Sequence, residues 1–269
     1  MYTMHYLCHS YDQTLEALSL TKTNSHKTSS LPLADFWHPE RNMLQKKDLF
    51  RHIGLDMQNW MNADYYFEYA TPAFKNRESG QMIAYSKPSM TDLMIISREN
   101  TRITIEAKYT EYVNKEEYTP ILSTWYGGAD HKKEIIQCWI DYINRSGCGS
   151  ITQAEELLSS DLPYQFLHRT ASACFNCKLP ILVYQLFYDN EQFDKMKAFE
   201  FLLSQCAKTL KLNRNALQFY IIETEVISYP KKRKGNTSNI FIEMIQCEQY
   251  MFGSTISVID GYTLSPIYL

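Results

Sequence analysis

The spacing of apolar residues predicts several amphipathic helices. After Pro39, apolar side chains recur at helical intervals as far as about residue 61, and proline is well suited to the first turn of a helix. Asp130 is a plausible N-cap for a second helix that ends before a glycine-containing segment at 144–149. The complete set of predicted helices is 39–61, 130–143, 152–159, 162–176 and 194–210.

Other segments have the composition of β-strands. Residues 181–188 form an almost unbroken apolar run after Pro180, which is typical of a strand buried on both faces. Residues 91–97 and 102–109 are two strong strand patterns that follow each other closely. The complete set of predicted strands is 65–74, 81–85, 91–97, 102–109, 181–188, 217–227, 240–246 and 255–259.

The order of these elements predicts an α/β fold: a helix, three or four strands, helices, a strand, a helix and further strands. No internal repeat or sharp change of composition divides the chain, so we expect a single domain over 1–269 with insertions. The Ser-, Thr- and Lys-rich segment 18–31 is expected to be a loop within an N-terminal extension, 1–35. A helix and strands over 194–269 would complete the domain.

Composition and charge exclude several classes of protein. The chain has 269 residues, of which 45% are hydrophobic and only nine each are glycine and proline, so collagen-like and low-complexity chains are excluded. The net charge of −3 gives no overall basic field, although nucleic-acid binding needs only a local basic surface. The seven cysteines are odd in number and irregularly spaced, and Cys174-Phe-Asn-Cys177 stands alone, so buried thiols are expected.

Membrane and export signals are not expected either. No window approaches 18 uninterrupted apolar residues, and the first thirty residues lack the basic start and apolar core of a signal peptide. The sequence therefore predicts a cytoplasmic protein without a membrane partner.

The segment from Pro88 to Lys108 carries the most informative polar residues. In a strand over 102–109, Glu106 and Lys108 share one face with Thr104, while Ile103, Ile105 and Ala107 form the other. Whether Asp92 joins that face depends on the connecting loop. A three-residue loop at 99–101 would place Asp92 opposite Lys108, whereas a two-residue loop would place it opposite Ala107. The hypothesis that the three residues share one site requires a loop with an odd number of residues, or a β-bulge.

Two carboxylates beside an ammonium group suit a divalent cation. Two close carboxylates repel each other, and hard oxygen ligands favour Mg²⁺ or Mn²⁺. Such a cation polarises a phosphoryl oxygen and lowers the pKa of its bound water, so phosphodiester hydrolysis is the natural reaction. A second acid-x-Lys pattern, Asp130-His-Lys132, is better explained as charge at a helix start.

Ser89-Met-Thr-Asp92 at the head of one strand and Glu106-Ala-Lys108 in the next together resemble the PD-(D/E)xK nuclease superfamily, with Pro88 in a looser position than the usual Pro-Asp pair. The segments 108–111 and 164–173 also look like those of restriction endonuclease-like members. The resemblance implies a mixed central sheet flanked by helices, in the order helix, three strands, helix, strand, over a core of about 39–188.

The resemblance also implies a metal-dependent nuclease. Asp92 and Glu106 would bind Mg²⁺ or Mn²⁺ with the carbonyl group of Ala107, and Lys108 would assist the attacking water. Gln165, one helical turn before Arg169, could face the same cleft or be a surface residue. His168 is expected to be structural or to lie at the rim rather than to act as a general base.

A further acidic ligand stays open, because many members of the superfamily place one on the first helix. Glu40, Asp48 and Asp56 are available there, and Glu68 on the first strand is another possibility.

DNA is the expected partner, in restriction, repair or defence, and cleavage of both strands would favour a homodimer. The one strongly basic run could bind phosphates or be a solvated loop; it consists of Lys231, Lys232, Arg233 and Lys234. One alternative is an inactive nucleic-acid-binding or interaction module with the same fold. Another is an unrelated α/β protein, in which Glu106 and Lys108 form a surface ion pair and Asp92 points away.

Overall fold

The computed structural model describes most of the chain, and the described residues are 6–7, 28–38, 40–56, 60, 63–76, 82–85, 88–112, 120–228, 250–254 and 257–263. The basic run Lys231, Lys232, Arg233 and Lys234 and the predicted strand at 240–246 lie outside them.

A mixed β-sheet forms the centre of the molecule, with the strand order β1-β2-β5-β6-β7-β8-β10 and β9 also paired to β8. The strand β5 is antiparallel to both β2 and β6, whereas β7 runs parallel to both β6 and β8. A separate two-stranded hairpin, β3–β4, lies between β2 and β5 in the chain. The strands are β1 (Tyr6–Leu7), β2 (Asp64–Thr71), β3 (Phe74–Asn76), β4 (Met82–Ala84), β5 (Ser89–Ile96), β6 (Arg102–Lys108), β7 (Pro180–Tyr188), β8 (Gln218–Ser228), β9 (Met251–Phe252) and β10 (Ser257–Asp260).

Helices cover both faces of this sheet, as expected for a sheet with parallel strands at its centre. The helices are α1 (Ser30–Phe36), α2 (Met43–His52), α3 (Leu122–Tyr126), α4 (Asp130–Arg145), α5 (Glu155–Leu158), α6 (Tyr164–Cys174) and α7 (Phe193–Thr209). One apolar core joins α4, α6 and α7 to β7 and β8, and a second joins α1 and α2 to β5, β6 and β7. Among the described helices, none is long and apolar enough to cross a membrane.

The α/β class and most predicted elements are confirmed. The apolar run that predicted a doubly buried strand is β7, of which every residue but Tyr188 is buried. The long helix 39–61 and the helix 152–159 were predicted too long, because the described helices there are Met43–His52 and Glu155–Leu158. Asp130 is the first helical residue and Ala129 is the N-cap, so the predicted cap was one residue late.

The segment before residue 36 was only partly predicted. The expected loop over 18–31 overlaps α1, whose seven residues are all buried, so the extension contributes a helix to the second core. The helix is shorter than two full turns and carries Pro32 in its first turn. In so short a segment, the spacing of apolar residues does not indicate a helix.

The β5–β6 hairpin decides where the candidate site residues lie. Ser97 and Thr101 are hydrogen-bonded to each other, and Arg98, Glu99 and Asn100 form a three-residue loop between them. Asn100 has a left-handed φ of 58°, as the last residue of such a loop requires, and asparagine tolerates it. The odd loop length is therefore confirmed. The loop lies at 98–100 rather than at the predicted 99–101, and this difference of one residue moves the partner of each β5 residue by two positions along β6.

The corrected register places Asp92 across from Glu106 and not across from Lys108. The last pairs along the hairpin are Ile96 with Arg102 at one end and Leu93 with Ile105 at the other. A shift by two keeps each side chain on its face, since alternation along a strand has a period of two. The requirement that Asp92 share a face with Glu106 and Lys108 is met.

The central position of β6 gives a test of the fold. Ile105 is fully buried in the second core, so we expect Ile105→Ala to lower the free energy of unfolding by about 2–5 kcal/mol in urea denaturation. The exposed Ile227 on β8 is a matched control, for which the same change should cost less than about 0.5 kcal/mol. Equal losses for the two variants would contradict this packing.

Candidate active site

The pairing of β5 with β6 ends just before the candidate acids. Beyond Leu93 and Ile105 the two strands separate, although β5 continues to pair with β2. At the point of separation, the Asp92 carboxylate accepts a hydrogen bond from the backbone N–H of Ala107, at 2.9 Å. A side-chain oxygen thus takes the place of a strand-to-strand bond and fixes Asp92 beside the carboxyl end of β6.

Glu106 is the centre of a buried polar network. Its carboxylate lies 3.0 Å from Nζ of Lys108 and 2.5 Å from Nε2 of Gln165, and its second oxygen accepts from Nε of Arg169. Glu106 is only 1% exposed, and Arg169 is also buried. Gln165 and Arg169 are one turn apart on α6, so the same face of that helix supplies both donors.

Arg169 extends the network toward the start of β5. Its Nη1 donates to the hydroxyl oxygen of Ser89 at 2.9 Å and lies 3.2 Å from Nδ1 of His168, which is itself 2.7 Å from that hydroxyl. A guanidinium group can only donate, so Nδ1 of His168 accepts and the ring proton resides on Nε2. His168 therefore belongs to the same network as Ser89 and Arg169.

The charges of this network control two pKa values. Burial by itself would raise the pKa of the Glu106 carboxyl, but the charges and hydrogen bonds of Arg169 and Lys108 outweigh it and lower the pKa to about 2. Burial, together with the positive charge of Arg169, holds the pKa of His168 well below its usual value. Glu106 is thus ionised and His168 neutral at physiological pH.

Glu68 occupies the corresponding position on the next strand. Its neighbours Phe67 and Tyr69 pair with Leu93 and Thr91, so Glu68 lies across from Asp92. It is buried, and its φ of 53° is a left-handed conformation that costs a non-glycine residue about 1–2 kcal/mol. Positions on three adjacent strands, Glu68, Asp92 and Glu106, therefore form a row of acids across the sheet.

The other acids considered for the site lie elsewhere. Glu40, Asp48 and Asp56 are exposed, and Asp48 pairs with Arg51 on α2, a helix that packs on the opposite face of the sheet. Glu111 accepts a hydrogen bond from the N–H of Tyr109 at 3.0 Å and stabilises the turn after β6. Of the four possible extra ligands, only Glu68 lies next to Asp92 in the sheet.

The row has the donor chemistry that a hard divalent cation requires, since carboxylate oxygens are its preferred ligands. Glu106, however, already uses both oxygens for protein donors. Within the described part of the chain, no set of three His, Cys, Asp or Glu side chains is arranged to hold a metal. Cation binding at this row therefore requires that these acidic side chains rearrange.

Comparison with known protein families decides what the chain is related to. The family model of a domain of unknown function, DUF6946, matches residues 9–226, or 218 of the 269 residues. The chain belongs to the DUF6946 family. No curated protein and no solved structure gave a match.

Ser89 is the member of the Glu106 network whose contacts the sequence did not reveal. Its hydroxyl binds Arg169 and His168, which are about eighty positions away in the chain. Serine at the head of a strand has no distinguishing pattern, and only the packing of α6 on β5 brings it to Arg169. By contrast, the four-residue spacing of Gln165 and Arg169 could be read from the sequence.

The ionised state of Glu106 gives a pH test of this network. Its folded-state pKa of about 2 lies below the ordinary value of 4.5, so the ionised carboxylate stabilises the fold above pH 4.5 and that contribution is lost as the pH falls toward 2. We expect Glu106→Gln to lower the free energy of unfolding at pH 7 by on the order of 3 kcal/mol. The difference from wild type should shrink between pH 4.5 and 2.

The control for this test is Asp48→Asn, which breaks an exposed ion pair on α2. Exposed pairs contribute less than about 1 kcal/mol, so this variant should follow the wild-type pH curve. A constant difference between wild type and Glu106→Gln over the acid range would show that Glu106 is not held ionised by its neighbours.

Proposed function

We propose that this chain is a Mg²⁺- or Mn²⁺-dependent nuclease of the restriction endonuclease-like type that hydrolyses phosphodiester bonds in DNA. One observation carries the proposal: Asp92, Glu106 and Lys108 share one face of the sheet at the point where β5 and β6 separate. The surface ion pair of an unrelated α/β protein does not describe this arrangement, because the Glu106–Lys108 pair is buried and Asp92 is bound to the backbone next to Glu106.

The order of elements supports the same proposal. The helix α2, the antiparallel strands β2, β5 and β6, the helix α6 and the parallel strand β7 follow one another as in the core of the restriction endonuclease-like fold. The acids lie on the second and third of these strands, where the resemblance in sequence expects them.

In this proposal, Asp92, Glu106 and the carbonyl group of Ala107 hold the cation, and Glu68 is the candidate for the further acid. The bound cation supplies polarisation of a phosphoryl oxygen and lowers the pKa of a water molecule. The strain at Glu68 is consistent with a functional role, since left-handed non-glycine residues cluster at sites where other interactions maintain them.

The remaining residues act through charge and position. Lys108, whose ammonium group is 3.0 Å from Glu106, would hold negative charge as it develops on the phosphate and orient the attacking water. Gln165 fixes the rotamer of Glu106, and Arg169 keeps that carboxylate ionised in a buried setting. A cytoplasmic location and, for cleavage of both strands, a homodimer complete the proposal.

A second candidate function is favoured because Glu106 already accepts hydrogen bonds at both of its carboxylate oxygens. Both of its oxygens are engaged by Arg169, Lys108 and Gln165, an arrangement that is stable without a cation. The same fold would then be a nucleic-acid-binding module without cleavage. The two functions differ in one measurable property, because only the nuclease binds Mg²⁺ or Mn²⁺ through Asp92.

Cleavage assays on plasmid, linear duplex, single-stranded DNA and RNA substrates test the proposal. We expect Asp92→Asn to reduce Mg²⁺-dependent cleavage by at least about a hundredfold, because it removes a charge that holds the cation. Circular dichroism should remain unchanged, since Asp92 is only partly buried. Glu99→Gln, in the exposed loop of the same hairpin, is the matched control and should cleave like wild type.

Unchanged cleavage by Asp92→Asn would refute the assignment of this site. Absence of cleavage by wild type on every substrate, combined with retained binding of nucleic acid and no binding of Mn²⁺, would favour the second candidate.

A further inference from the structure

A cavity of about 540 Å³ lies next to the candidate active site, on the side of Ser89 and Arg169. Its volume is in the range of small-molecule sites, which run from about 300 to 1,000 Å³. It is lined by residues of the β4–β5 region and of α3, α4 and α6, among them Ser89, Trp125, Lys132, Tyr164, His168 and Arg169. None of these residues has a role in the site as described so far except Ser89, His168 and Arg169.

The charges of the lining favour an anion. Lys132 and Arg169 are positively charged, and His131 and His168 also line the cavity. Among the described residues of the lining there is no carboxylate. Lys132 is held in place, since its Nζ donates to the carbonyl oxygen of Trp125 at 2.6 Å and lies 5.1 Å from the centre of that ring. A positive group in this position contacts an anion without first losing side-chain freedom.

The aromatic residues favour a flat ring beside that anion. Trp125 and Tyr164 are stacked with their ring centres 3.7 Å apart and their planes 8° apart and form one rigid wall. Lys132 lies over the remaining face of Trp125, so a base would contact the edges of this wall. Met90 and Ile135 add apolar surface. Contact between a planar base and aromatic side chains is favourable and insensitive to sequence.

The floor of the cavity is polar and buried. Ser89 and Arg169 are 8% and 6% exposed, and both are fixed by the hydrogen bonds of the Glu106 network. His168 also lines the cavity, and its Nδ1 is bound to the same Ser89 hydroxyl group. Arg169 contacts both Glu106 and the cavity and therefore joins the two sites.

We propose that this cavity binds one nucleotide of an unpaired strand, with its base against the Trp125–Tyr164 wall and its phosphate toward Lys132 and Arg169. The inference deepens the proposed function and rests on it for the statement that the nucleotide belongs to the substrate. A base within a duplex is stacked and paired, so it enters such a cavity only after leaving the helix. The substrate class is therefore single-stranded or locally opened DNA.

Binding is measured by fluorescence anisotropy of a labelled short single-stranded oligonucleotide, in EDTA so that no metal-dependent cleavage takes place. We expect the single strand to bind more tightly than a duplex of the same sequence, and dAMP to compete where inorganic phosphate does not. Trp125→Leu should weaken binding by about fivefold or more, because it removes half of the aromatic wall and the ring that Lys132 contacts.

Lys132→Gln provides a second variant with little effect on folding, because Lys132 is partly exposed. It should weaken binding by about fivefold or more. Lys133→Gln is the matched control: the neighbouring lysine pairs with Glu155 outside the cavity, so its variant should bind like wild type. Equal losses for Lys132→Gln and Lys133→Gln, or tighter binding of the duplex, would overturn the proposal.

The two proposals fail in different ways. If the chain is not a nuclease but the cavity binds a nucleotide, Asp92→Asn and wild type both bind without cleaving, and Trp125→Leu still weakens binding. If the chain cleaves DNA but the cavity is not used, Trp125→Leu and Lys132→Gln bind and cleave like wild type. Competition by dAMP that is as strong as that by the oligonucleotide would identify a free nucleotide, rather than a strand, as the ligand and would overturn the assignment to the substrate.

Discussion

The structure depends on a carboxylate that is ionised in the protein interior. Removing Glu106 from water has a large cost, which only opposite charge and several hydrogen bonds offset. Lys108 comes from the same strand, while Arg169 and Gln165 come from α6, so Glu106 and the buried apolar residues of α6 together favour the face of the helix that points to the sheet. A hydrophobic residue at 106 would pack there without this requirement. The network therefore specifies one arrangement of helix and sheet, and it does so at the place where the chemistry is proposed.

The separation of β5 and β6 is the second constraint, and it connects the network to function. A continuous antiparallel ladder would satisfy every backbone group and leave no opening between the strands. Instead, Asp92 satisfies the N–H of Ala107 with its side chain, which ends the ladder without leaving that buried donor unpaired. The cavity begins on the same side of the sheet, and Arg169 is shared between them. A polar network that stabilises the fold thus also positions the acids and the floor of the cavity.

Much of the candidate site could be predicted from local sequence. Alternation in β6 was sufficient to place Glu106 and Lys108 on one face, and four-residue spacing on α6 was sufficient to place Gln165 with Arg169. Placing Asp92 required two facts: whether the connecting loop has an odd or an even number of residues, and which residues of β5 and β6 pair. The sequence is compatible with an odd loop, but it left the pairing open. Asn100 in its left-handed conformation determines that register, and the pattern of apolar residues does not contain this information. The position of Glu68 across from Asp92 required the pairing of β2 with β5, which are separated by another hairpin.

The sequence by itself determined the class of the fold, the order of most of its longer elements and the polar face of β6, because these follow from the periods of hydrophobic residues and from local turn chemistry. Only the tertiary structure decided that Ser89 binds Arg169, that Asp92 ends a ladder, and that Trp125, Lys132 and Tyr164 enclose a cavity. These features depend on contacts between segments far apart in the chain. Such contacts depend on the free energy of the whole packed molecule, so they cannot be predicted from any short segment of the sequence.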